Sequence, residues 1–135
     1  MSYKIEDIEG IGPVYGAKLK NEGINTVADL LEACATKAGR SKMAEKTGIS
    51  EKDILTWTNH ADLFRIKGVG PQFSELLEAA GVDTVKELRN RNAENLHAKL
   101  VEVNEQKNLV RRVPVLSQVQ EMIELAKQLD PKITY

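Results

Sequence analysis

Ile8-Glu9-Gly10-Ile11-Gly12-Pro13 returns 58 residues later as Ile66-Lys67-Gly68-Val69-Gly70-Pro71. The register holds without a gap over residues 8–30 and 66–88, where nine of 23 positions are identical. Leu19/Leu77, Gly23/Gly81, Thr26/Thr84, Val27/Val85 and Leu30/Leu88 are among them, and Tyr15/Phe73, Ile24/Val82 and Asp29/Glu87 are conservative pairs. A chain written this way is a duplication of one supersecondary unit.

Each copy reads as two helices about a tight turn. Glycine on both sides of Ile11 and of Val69 supplies the backbone freedom such a turn needs. Proline follows at once, where its fixed φ suits the first turn of a helix. Phe73, Leu76, Leu77 and Ala80 then mark one helical face. Gly23 and Gly81 fall where a helix stops. Thr26-Val27-Ala28-Asp29 and Thr84-Val85-Lys86-Glu87 resemble capping boxes for the next helix.

The flanking stretches also read as helices. Ser50 to Asp53 predicts the start of a helix that carries Ile54, Leu55 and Trp57 and runs to about Arg65. Asn92 and Asn104 are expected N-caps. Pro114 interrupts the pattern, and Val119, Met122, Ile123, Ala126 and Leu129 then hold helical spacing up to Asp130-Pro131. Ile49/Val103, Glu51/Glu105 and Leu55/Leu109 match at a spacing of 54, which places four extra residues in the first copy near Ala33–Ser41. No stretch alternates apolar and polar residues. The expected fold is all-α, with roughly eight to ten short helices. Residues 1–60 and 61–135 are the expected units, rigidly joined into one compact body.

Composition narrows the function classes. The chain has 135 residues with 19 Lys+Arg and 20 Asp+Glu, a net charge of -1, which excludes a strongly basic histone-like protein and an acidic tail. Aromatic residues make up 4%, too few for a surface that stacks single-stranded bases. A single cysteine, Cys34, forms no internal disulfide; its apolar neighbours make it a buried small hydrophobe rather than a nucleophile. No apolar run follows Met1 and none approaches the length of a membrane span, so the expectation is a soluble cytoplasmic protein with no signal peptide and no membrane partner.

The pattern Ile8-x-Gly10-Ile11-Gly12 with Gly16 and Leu19, repeated as Ile66-x-Gly68-Val69-Gly70 with Ser74 and Leu77, resembles the helix-hairpin-helix motif. The resemblance implies two tandem helix-hairpin-helix units in a SAM-domain-like helical bundle. It also implies sequence-independent DNA binding, with backbone N–H groups at the turn and the helix N-terminus meeting a phosphate. Over nearly its whole length the chain is also similar to a family of small bacterial proteins known as domain of unknown function 4332. That likeness rests on Ala61-Asp62-Leu63-Phe64-Arg65-Ile66-Lys67-Gly68-Val69-Gly70 and on Leu109-Val110-Arg111-Arg112-Val113-Pro114. It implies a fold and no activity.

Charge separates the two hairpins. Asp7 and Glu9 occupy the places of Arg65 and Lys67, whereas Lys18 and Lys20 become Leu76 and Glu78. The expected phosphate site is therefore the second hairpin, at Gly68, Val69 and Gly70 with Lys67 and Arg65. Gly10, Ile11, Gly12 and Lys18 form an auxiliary or structural counterpart. Arg89, Arg91, Arg111 and Arg112 are candidates to extend the positive face. The competing reading is a protein-interaction or self-association module in which the hairpins are packing elements. Binding of structured RNA through the same phosphate geometry is a third.

Other chemistry finds little support. Lys42 to Trp57 reads as helix, turn, helix, but the second helix opens with Glu51, Lys52 and Asp53, a poor base-reading face. The matching stretch 102–109 reads the same way. Trp57 is expected as a core anchor. His60 and His97 stand alone, with no metal-ligand spacing, so no metal and no cofactor is expected. Lyase-type DNA glycosylases with this hairpin carry Lys two residues after the second glycine; here those positions are Val14 and Gln72, so no Schiff base forms there. A non-enzymatic protein with no catalytic residue is the expectation.

Overall fold

Thr26 and Thr84 each turn an extended residue into the first turn of a helix, and the hairpins are built back from them. The Thr26 hydroxyl accepts from the Asp29 amide (3.1 Å) while the Asp29 carboxylate accepts from the Thr26 amide (3.1 Å), a reciprocal capping box. The Thr84 hydroxyl accepts from the Glu87 amide at 3.1 Å. The computed structural model describes residues 3–135; Met1 and Ser2, where the reading of the N-terminus begins, lie outside them. The described residues form eight α-helices, one short 3₁₀ turn and no strand, so the fold is all-α. No helix among them is long and apolar enough to cross a membrane.

The chain divides into two units, one running to Asp62 and taking in Lys132–Tyr135, the other Leu63–Pro131. In the first, a 3₁₀ turn at Ile5–Asp7 precedes α1 (Gly12–Asn21), α2 (Val27–Cys34), α3 (Lys37–Thr47) and α4 (Glu51–Leu63), whose last residue belongs to the second. Ile5, Ile8, Ile11, Leu19, Leu30, Cys34 and Ile54 are buried in it. Trp57 is the expected anchor: it is buried, with the Tyr15 ring 5.4 Å away and tilted by 52°.

The chain's last residues are tied into this unit. Thr134 donates its amide to the Ala35 carbonyl at 2.8 Å. Its own carbonyl accepts from Arg40, a guanidinium only 4% exposed that also donates to the Cys34 and Ala35 carbonyls. The Tyr135 ring lies 5.8 Å from that guanidinium.

The second unit holds α5 (Pro71–Ala79), α6 (Val85–Arg89), α7 (Ala93–Lys107) and α8 (Leu116–Lys127). Its core joins Leu76, Leu77 and Ala80 of the α5 segment to Val85 and Leu88 of α6, Leu96, Leu100 and Val103 of α7, and Val119, Met122, Ile123 and Ala126 of α8. The α8 face is the one that its spacing predicts, and it packs on α6 and α7.

Helices α1 and α5 end alike. Ile24 donates to the Leu19 carbonyl (3.0 Å) and Gly23 to Lys20; Val82 donates to the Leu77 carbonyl (2.8 Å) and Gly81 to Glu78. Both ends are Schellman motifs with glycine in the left-handed place, as the sequence predicts.

The correspondence at a spacing of 54 does not carry into structure. Gly48, at φ 74°, stops α3, so Ile49 lies in the turn before α4. The matching Glu102 is an ordinary helical residue, and α7 runs on through Val103 to Lys107, stopping only at Asn108 with φ 51°. Residues 102–109 are thus the end of one helix and the start of the loop after it, not a helix pair. Asn92 caps α7 as expected, its side chain accepting from the Asn95 amide at 3.0 Å. Asn104 is no N-cap; it sits in the last turns of α7. α4 ends at Leu63, two residues short of Arg65.

Candidate functional site

The two glycine turns begin identically. Ile11 donates its amide to the Ile8 carbonyl (3.3 Å), and Val69 donates to Ile66 (3.0 Å). Gly10 at φ 94° and Gly68 at φ 93° take the third position of these turns, a conformation that favours glycine. Ile8, Ile11, Ile66 and Val69 are all buried. The apolar residue between the glycines is therefore an anchor, and its amide is spent inside the turn. Of the expected phosphate donors, Val69 and Ile11 are not presented to a ligand.

Two further donors stand one step beyond the turn. Pro71 opens α5 and has no N–H, and the Ser74 amide is taken by the Gly70 carbonyl at 2.9 Å. The amides of Gln72 and Phe73 lie in the first turn, where a helix supplies no acceptor. They carry the positive end of the α5 dipole. Pro71 at the helix start was the sequence signal for them.

The second glycines differ. Gly12 begins α1 at φ 60°, whereas Gly70 caps α5 in an extended conformation, φ -114° and ψ -165°. At Gly68 no heavy atom stands within 4 Å of where a Cβ would be, so the outer side of the turn is open. Lys67 beside it is exposed and forms no ion pair among the described residues. Arg65 is half-buried and engaged within the protein.

The first hairpin is arranged differently. Lys20 is committed to the Glu6 carboxylate, and this partner holds the Glu6 carboxyl below the usual carboxylate range. Asp7 accepts from the Lys4 amide at 3.0 Å, and Glu9 is exposed beside Gly10. Lys18 lies 6.0 Å from the Tyr15 ring centre. Gly12 is open, like Gly68, but its neighbours Val14 and Tyr15 are apolar and 68% and 37% exposed.

One candidate for a wider positive face is accounted for. The Arg91 guanidinium donates to the Ala80 carbonyl (3.2 Å) and to Glu87 (3.3 Å), so it closes the end of α5. Arg89 is half-buried. Among the described residues no three metal-ligating side chains cluster.

A family model described as a domain of unknown function (DUF4332) matches residues 9–129. No curated protein matches the chain, and no solved structure does.

Proposed function

We propose, for a chain that belongs to the DUF4332 family, non-enzymatic and sequence-independent binding of duplex DNA at the second hairpin. The phosphate backbone would meet the Gln72 and Phe73 amides, with Lys67 adding charge and Gly68 leaving room for approach. The observation that carries this reading is the open turn at Gly68 beside exposed Lys67 and the start of α5. The first hairpin has the same turn but presents Glu9 in place of Lys67. Nothing in this contact reads a base edge, so affinity would not depend on sequence.

The test is fluorescence anisotropy of a labelled duplex titrated across a salt series. Affinity that falls as salt rises, and that drops at least tenfold in Lys67→Glu, is the expected result. A folded wild-type protein that binds no duplex at low salt would overturn the reading. A second reading, a protein-interaction or self-association module, is favoured by exposed Val14 and Tyr15 on the first hairpin. Mass that rises with concentration, without duplex binding, would support it.

A further inference from the structure

Residues 106–120 contain Lys107, Arg111 and Arg112 and no carboxylate. Three other basic side chains of the second unit have acidic partners: Arg91 with Glu87, Lys99 with Glu102, Lys127 with Glu124. Lys107, Arg111 and Arg112 are exposed and form no ion pair among the described residues. The connection between α7 and α8 thus presents two unpaired arginines, with Lys107 at the end of α7 beside them and no carboxylate within it, a locally positive surface.

The loop is also held in one shape. Asn104, in the last turns of α7, donates its amide nitrogen to the Val110 carbonyl (2.9 Å) and accepts from the Val110 amide (3.0 Å). The Asn108 amide closes α7 on the Asn104 carbonyl at 2.8 Å. Val110 and Pro114 are both buried, and the chain bends at the two arginines between them. The packing is done by Val110 and Pro114, and the bend turns Arg111 and Arg112 outward. A rigid presentation lowers the ordering cost of using those guanidiniums. The planar guanidinium suits phosphate oxygens, which it binds in pairs.

We infer that the loop between α7 and α8 is a second contact for the phosphate backbone of duplex DNA, made by Arg111 and Arg112 with Lys107 beside them. This rests on the duplex reading above, because Lys67 lies in the same unit. A repeating polyanion suits both places without any demand on sequence. An acidic peptide is the competing occupant.

The test compares wild type, Lys67→Glu and Arg111→Gln/Arg112→Gln by duplex anisotropy from low to moderate salt, with circular dichroism and urea midpoints as controls on folding. Each phosphate contact contributes about 0.9 to the slope of log affinity against log salt, so the double variant should lower that slope by about two. Arg111→Lys/Arg112→Lys should restore it. A double variant with the wild-type slope and affinity, while Lys67→Glu loses binding, would overturn the loop and leave the hairpin. Loss in the double variant with Lys67→Glu unchanged would keep the loop and overturn the hairpin. A folded wild type that binds poly-glutamate but no duplex would overturn both.

Discussion

Arg40 and Thr134 are 94 residues apart in sequence, and the Arg40 Nη2 donates to the Thr134 carbonyl at 2.6 Å. With the Cys34 and Ala35 carbonyls at 3.0 and 3.1 Å, one buried guanidinium donates to three backbone carbonyls, of which Ala35 also accepts from the Thr134 amide. Hydrogen bonds to a charged group contribute roughly 1.5–3 kcal/mol each. Arg40→Ala is expected to destabilise the first unit by about 3 kcal/mol or more. Urea unfolding followed by Trp57 fluorescence measures this. A loss below about 1 kcal/mol in Arg40→Ala would show that the guanidinium is dispensable.

Asp29 gives the start of α2 an acid limit. Its carboxylate accepts from the Asn25 and Thr26 amides, which hold its carboxyl below the usual carboxylate range. A carboxyl lowered by folding contributes stability that is present above its unfolded value and is lost as pH falls through the folded one. Wild type should lose stability below about pH 4, and Asp29→Asn should show a shallower acid limb. Thr26→Ala should cost about 1 kcal/mol at neutral pH.

The glycine turns separate dihedral need from space. Gly68 at φ 93° should not accept alanine without strain, so Gly68→Ala is expected to cost about 1–2 kcal/mol. Gly70, at φ -114°, carries no such dihedral penalty in Gly70→Ala. Paired urea midpoints decide it; equal midpoints for Gly68→Ala and wild type would contradict the turn geometry.

Cys34 should be silent at ordinary pH. Burial pushes its thiol up to about 11, against a usual value of 9.0. Alkylation at pH 8 should be slow in native protein and rapid once urea unfolds it. The thiol form favoured by folding makes stability fall as pH rises from about 9 toward 11, and Cys34→Ala should remove that component of the alkaline limb. Fast labelling of native protein would show that the α2 face opens.

Much of the fold was legible because its signals are local. The proline at each helix start, the Schellman glycines and the threonine caps depend on residues within one or two turns of each other. The α8 stripe from Val119 to Ala126 was legible by periodicity for the same reason. What failed was the continuation of the duplication. Val103 and Leu109 match Ile49 and Leu55 as letters, but only the first copy has a left-handed glycine, Gly48, to break the helix between them. Asn104 read as a cap because its side chain suits one; it instead spans to Val110, a contact that requires the helix to end four residues later.

The candidate site was half legible. Charge singled out the second hairpin and Lys67, and the structure leaves that lysine exposed. The sequence could not tell which amides are spent. Val69 between two glycines reads as the tip of a loop, yet the turn closes through its N–H and packs its side chain inward. Arg91 looked like an available cation, but its partner, the Ala80 carbonyl, lies 11 residues away in sequence.

Gly12 and Gly70 carry the same letter at equivalent places, with different obligations. At 12 the glycine answers a torsional requirement; at 70 it contributes only the absence of a side chain. The tolerated alphabet at the two positions is therefore unequal. Alanine or serine at 70 leaves the backbone angles attainable, while at 12 the helix start itself would have to rearrange. The duplicated hairpins are equivalent as text and not as parts, and a chimaera that exchanges residues 8–13 with 66–71 would not be a neutral swap.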